Sequence, residues 1–263
     1  MSGGENSAAV PQSFPVSCAR VAHTFILVHG AWHGAWCWHK LIPWLEAAGA
    51  RVVAPELRSE EPDNPASLEE WARFVAGLTR RESGSVLVGH SRGGAVISRA
   101  AELLLGPDQA QGQAQGQIHR LVYLAAYLLA DGQSVAEVAQ RDADSLIAPN
   151  MIPVKRGLTC ALRAEVLRDA FYGDCTDEDF EFARERLTPE PIRVLATPVR
   201  ITPERFGRAP RAYVETLRDR AVTLQAQRRM QAALPCDPVF TLDSDHSPFL
   251  SHPEALARIL ISI

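Results

Sequence analysis

The run Gly89-His90-Ser91-Arg92-Gly93-Gly94, directly after the apolar stretch Ser85-Val86-Leu87-Val88, holds the residues best placed to do chemistry. A short β-branched stretch that ends in Gly-x-Ser-x-Gly and then continues as helix reads as a nucleophile elbow. The pentapeptide is a weak signal alone, and its place between strand and helix gives it weight. Glycines at 89 and 93 let the strand and helix backbones pass close together, leaving Ser91 strained and exposed to a substrate. A serine hydroxyl is a poor nucleophile at neutral pH and needs a base within hydrogen-bond reach. Among eight histidines, His246 stands in the loop Asp243-Ser-Asp-His-Ser-Pro248, between the last strand-like run and the last helix. A carboxylate after the preceding strand would orient its imidazole, and Asp219 in Thr216-Leu-Arg-Asp219 occupies that place. Glu215 is expected to lie still within the strand, and Asp243 and Asp245 to shape the histidine's loop. The chain order Ser91, Asp219, His246 suits acyl transfer, which also needs donors for a developing oxyanion. The backbone N–H of Arg92 follows the nucleophile, and the N–H of Ala31 sits in His29-Gly30-Ala31-Trp32, after the first strand.

The elements that must hold these residues alternate between two periods. Thr24–His29, Arg51–Ala54, Ser85–Val88, Leu121–Leu124, Arg211–Glu215 and Pro238–Leu242 read as strands; the continuous apolar runs among them suit a sheet covered on both faces. Helices are expected at about 37–48, from Ser67 with Glu70 completing a capping box, at about 93–105, near 222–233, and from Ser251 with Pro253 in the first turn. Strand-helix alternation implies right-handed crossovers and a mostly parallel sheet with helices on both faces, whose reactive groups gather at the strands' carboxyl ends. Residues 128–210 break the alternation, with helix-like segments near 159–171 and 177–187 and a proline-punctuated run to 210. They read as an inserted, mainly helical cap over the site. The expected organisation is therefore a disordered leader at 1–22, a core built from 23–127 and 211–263, and the cap between. The tract Gln109–Gln117 reads as a flexible surface loop.

Composition bounds the function. With 263 residues and 46% hydrophobic content, the chain suits one α/β domain with an insertion. A net charge of −4 without a basic cluster argues against a nucleic-acid partner. No apolar stretch approaches a membrane span, and the N-terminal segment lacks the basic start and apolar core of a signal peptide. Five cysteines, odd in number and without CxxC spacing, read as free thiols in a reducing cytoplasm. His29 and His33 lack the carboxylate or cysteine partners of a metal site, so a structural role is expected of them and neither metal nor cofactor is expected. Of Trp32, Trp36 and Trp38, which follow the oxyanion loop, at least two are expected to pack rather than stack on substrate. Nothing fixes the oligomeric state, and a homodimer stays open.

Assembled in this way, the chain resembles the α/β-hydrolase fold, and within it the branch of plant methyl esterases (methyl salicylate and methyl jasmonate esterases), hydroxynitrile lyases and related bacterial esterases. The segments that carry the resemblance are FILVHGAWHGAWCWHKLIPWLEAAGARVVAPEL, GHSRGG, DCTDEDFEFARERLTPEP, RAYVETLRDRAVT and DSDHSPFLSHPEALARIL, together covering roughly 23–263. The resemblance implies a catalytic triad at Ser91, Asp219 and His246, with the backbone of Ala31 and Arg92 as oxyanion hole. Hydroxynitrile lyases of this branch have a threonine after the first strand and a lysine after the histidine; this chain has Gly30 and Ser247, which points to a serine esterase acting on a small hydrophobic or aromatic ester. A lyase or natural-product tailoring enzyme using the same triad is the alternative, and a ligand-binding protein on the same fold a second one. The Arg92 side chain departs from the family's apolar, cysteine or aromatic residue. Two readings stay open: a pocket-facing cation for a substrate carboxylate or phenolate, or a surface arginine touching the cap.

Overall fold

The computed structural model describes residues 23–58, 66–82, 84–106 and 118–263. The leader at 1–22, Cys18 and the glutamine tract at 109–117 lie outside the described residues. Six strands form one sheet: β1 (Thr24–Val28), β2 (Arg51–Val53), β3 (Ser85–His90), β4 (Ile118–Leu124), β8 (Arg211–Thr216) and β9 (Val239–Leu242), in the order β2-β1-β3-β4-β8-β9. All five pairings are parallel. The apolar run of β1 is buried throughout, as is all of β3, which follows from helices on both faces of a parallel sheet. The register sets Val28 beside Gly89, His90 beside Leu124, Leu124 beside Val214 and Thr216 beside Leu242. The carboxyl ends of β1, β3, β8 and β9 therefore open on one edge of the sheet.

The connecting helices are α1 (Ile42–Ala47), α2 (Leu68–Thr79), α3 (Gly93–Leu104), α8 (Leu224–Ala233), α9 (Pro248–Ser251) and α10 (Pro253–Ile261). In α2, Ser67 Oγ accepts the Glu70 N–H at 3.2 Å, and Glu70 Oε2 accepts the Ser67 N–H at 2.6 Å. This expected capping box is worth about 1 kcal/mol. Leu68, Trp71, Ala72, Val75, Ala76 and Thr79 form the buried stripe of α2, at the three- and four-residue spacing that packs a helix on its neighbour.

Between β4 and β8 the chain forms α4 (Val135–Gln140), β5 (Met151–Val154), β6 (Thr159–Leu162), α5 (Leu167–Phe171), α6 (Asp177–Arg184), β7 (Glu190–Pro191) and α7 (Ile192–Ala196). A small antiparallel sheet, β5-β6-β7, accompanies these helices. The helix expected at 159–171 is thus a strand followed by a short helix, because pairing of Thr159–Leu162 with Met151–Val154 overrides weak local preference. The helix expected at 37–48 divides into a 3-10 turn at Ala35–Trp38 and α1, with Pro43 in the first turn of α1, where a missing N–H costs nothing. Likewise, Ser251 does not cap the last helix. Pro253 bars His252 from helical geometry (φ −135°), so α10 starts afresh, and Ser251 Oγ donates to Asp245 Oδ1 at 3.0 Å.

Candidate active site

Ser91 directly follows β3 with φ of 52°, a left-handed conformation unusual for a residue with a side chain. The strain is held from both sides: the Ser91 N–H donates to Leu124 O at 3.2 Å, and Ser91 O accepts the Tyr127 N–H at 3.0 Å. The tightness is explicit at Gly93, where a Cβ would lie 2.5 Å from Val28 O. At Gly30 a Cβ would meet Ser91 Cβ at 2.9 Å, so the loop after β1 touches the nucleophile's turn. Ser91 is one of the residues lining a largely apolar cavity.

Asp219 and His246 are brought together. His246 Nδ1 donates to Asp219 Oδ2 at 2.7 Å, with both side chains buried. Asp219 is fixed in turn by the Ala221 and Val222 N–H groups on Oδ1 (2.8 and 2.9 Å) and by Thr216 Oγ1 and Gln227 Nε2 on Oδ2 (2.8 and 3.4 Å). A carboxylate with all its acceptor positions in use has one orientation, and it sets the imidazole tautomer with the proton on Nδ1. The other nitrogen, Nε2, is buried and has no hydrogen-bond partner among the described residues. His90 Nε2 donates to His246 O at 2.9 Å, joining the histidine loop to the residue before Ser91. The Phe171 ring lies 5.5 Å from that of His246 and lines the same cavity as Ser91.

Asp245 holds the loop, as its position in the sequence suggests. Its Oδ1 accepts the Ser247 N–H at 3.1 Å and its Oδ2 the Asp174 N–H at 3.1 Å, tying the loop to the insertion. Burial pushes its carboxyl above the ordinary range. Glu215 lies in β8 and pairs with Arg228.

Ala31 and Arg92 both line the cavity. Among the described residues, neither backbone N–H is engaged in a hydrogen bond. The histidines around Ala31 serve its backbone. His33 Nδ1 donates to Ala31 O and its Nε2 accepts from the Tyr172 hydroxyl, both at 2.8 Å; burial drops its pKa to about 3. His29 Nδ1 donates to Gly30 O at 2.8 Å while Nε2 accepts the Leu57 N–H at 3.0 Å, and burial holds it neutral. Among the described residues no cluster of three or more His, Cys, Asp or Glu could hold a metal ion. Trp38 is fully buried, whereas Trp32 lines the cavity.

The Arg92 side chain touches the insertion, as one of its two sequence-based readings expects, but from the interior. It is not at the surface: the side chain is 1% exposed, and its Nε lies 3.0 Å from Glu190 Oε1 in a buried ion pair. Its charge is therefore balanced within the protein rather than left for a substrate anion. Nη2 donates to Gly30 O at 3.0 Å, and the guanidinium lies over the Trp71 ring at 4.5 Å. Glu190, in a Pro-Glu-Pro stretch with no local signature, was invisible in the sequence. The one clue was the demand of a buried arginine for a counter-ion.

The alpha/beta hydrolase family model matches residues 25–259. A putative chloroplastic methylesterase 13 of Arabidopsis thaliana is 32% identical over 257 residues, covering 91% of this chain and 55% of the relative, so the chain spans about half of that protein. A pyrethroid hydrolase of Sphingobium wenxiniae is 34% identical over 252 residues, 89% of this chain and 85% of the relative. The crystal structure of a pyrethroid hydrolase from Sphingobium faniae superposes with a TM-score of 0.75 at 30% identity, covering 91% of this chain and 96% of the other.

Proposed function

The chain belongs to the alpha/beta hydrolase family, and from that premise we propose that it is a serine-dependent carboxylic ester hydrolase. The observation that carries this reading is the Asp219–His246 pair at 2.7 Å, with a buried Nε2 that has no hydrogen-bond partner among the described residues and a backbone tied to His90, next to the strained Ser91. Ser91 Oγ attacks the ester carbonyl as His246 Nε2 takes its proton. The Asp219 carboxylate stabilises the imidazolium so formed, and the N–H groups of Ala31 and Arg92 receive the oxyanion. His246 then gives the proton to the departing alcohol and takes one from the water that releases the acid.

The lining of the cavity supports a substrate class. Nine of the sixteen residues lining it, from Val135 to Leu195, belong to the insertion, so 128–210 act as a cap that shapes specificity. Val135, Ala139, Ile147, Met151 and Phe171 give it apolar walls. With Arg92 already neutralised by Glu190, an uncharged, small hydrophobic or aromatic ester suits it better than an anion. Relatives named as methylesterase and pyrethroid hydrolase support an ester substrate. The test is hydrolysis of short-chain p-nitrophenyl esters by the wild type and by Ser91→Ala. Turnover confined to the wild type is expected; equal turnover by both proteins would overturn the reading.

A further inference from the structure

The peptide unit joining Gly30 to Ala31 carries the Ala31 N–H at one end and the Gly30 carbonyl at the other. In a trans peptide these two groups point in opposite directions, so whatever grips the carbonyl also aims the N–H. Gly30 O accepts two donors, His29 Nδ1 at 2.8 Å and Arg92 Nη2 at 3.0 Å. The next peptide is held as well, because the Trp32 N–H donates to Glu190 Oε2 at 3.2 Å. One ion pair therefore clamps the backbone on both sides of Ala31, and its acidic member comes from β7 of the insertion.

We propose that the Arg92 side chain is a positioning residue for the oxyanion site: it orients and polarises the Gly30–Ala31 peptide, with Glu190 as its counter-ion. The inference rests on the reading of the Ala31 N–H as an oxyanion donor. A charge-assisted bond to the carbonyl draws electron density through the amide and makes the opposite N–H a stronger donor. The side chains are only 1% and 5% exposed, so solvent does little to screen that effect. A buried ion pair is a poor device for stability alone, since apolar residues of similar volume often serve as well. A site-directed role explains why this position holds a charge. It also makes the residue after the nucleophile contribute twice, its own N–H to the oxyanion and its side chain to the other donor.

The test uses the full chain and two variants. Arg92→Lys keeps a cation for Glu190 but loses the planar fork that also reaches Gly30 O. Arg92→Met/Glu190→Gln removes both charges and leaves no unpaired ion, should the lysine variant fold poorly. The expected result in a folded variant is a kcat lowered about tenfold with KM within about twofold, less than the loss from deleting an oxyanion donor outright. The Gly30 carbonyl ¹³C resonance, read by NMR, should move upfield with it. A wild-type kcat together with an unmoved resonance, or a change confined to KM, would overturn the proposal. Absence of Ser91-dependent turnover in the wild type would instead overturn the esterase reading, and the Gly30 resonance would still decide this one.

Discussion

Replacing Asp219 by Asn keeps the shape of the side chain and removes the feature on which the base depends. Five donors converge on the carboxylate: His246 Nδ1, Thr216 Oγ1 and Gln227 Nε2 on Oδ2, and the Ala221 and Val222 N–H groups on Oδ1. An amide has one acceptor oxygen. If that oxygen keeps the two backbone donors, the NH₂ faces the His246 Nδ1–H at the present 2.7 Å. The imidazole must then carry its proton on Nε2 or swing away, and in either arrangement it cannot take the Ser91 proton. Loss of the correct tautomer costs on the order of 10⁴ in kcat in the serine-protease triad, about 5.4 kcal/mol at 1.36 kcal/mol per decade. The same order is expected here, with KM little changed. The assay is p-nitrophenyl ester hydrolysis, with thermal melts to establish that the variant is folded. Glu215→Gln is the control, because Glu215 pairs with Arg228 away from the imidazole and should leave kcat near that of the wild type. A folded Asp219→Asn protein with kcat within tenfold of the wild type would refute the assignment.

Three further outcomes follow from the geometry. His33 titrates near 6.5 when unfolded and at about 3 when folded, so the unfolded chain binds more protons between those values. Its contribution to stability is complete above pH 6.5 and lost as pH falls toward 3, at about 1.4 kcal/mol per pH unit near pH 5; melts of the wild type and His33→Gln at pH 4–7 should show a shallower dependence in the variant. Gly30→Ala would set a Cβ 2.9 Å from Ser91 Cβ and 2.8 Å from His90 Nδ1. Overpacking of this kind costs about 1–3 kcal/mol, and a melting temperature and kcat both equal to the wild type's would contradict the tight loop-to-elbow contact. Ala139 lines the cavity from α4, so Ala139→Phe should lower kcat/KM for aryl acyl esters at least tenfold while sparing acetates. An equal effect on both would place the acyl group elsewhere.

The parts of the site legible in the sequence are those set by local chemistry. Glycine at 89 and 93 marks a backbone approach that any larger residue would block, and strand-end logic picks out Asp219 and His246, which the parallel sheet brings within 2.7 Å of each other. The capping box at Ser67 and Glu70 was legible for the same reason, since both partners lie within one turn. Long-range pairing left no such trace. Thr159–Leu162 reads as helix until Met151–Val154 is set beside it. Glu190 reaches Arg92 across 98 positions of chain, and only the fold shows that the arginine is buried. The break at His252 was legible in principle, because a proline follows it. Ser251 offered a competing cap signal, and its hydroxyl serves Asp245 instead.

A covalent acyl-enzyme on Ser91 is tested most directly by rapid mixing with a p-nitrophenyl ester, acid quench and mass spectrometry of the peptides. The expected result is a p-nitrophenol burst stoichiometric with enzyme and one acyl group on the peptide containing Ser91, both absent in Ser91→Ala. Turnover with the acyl group on another residue, or an undiminished burst from Ser91→Ala, would contradict it.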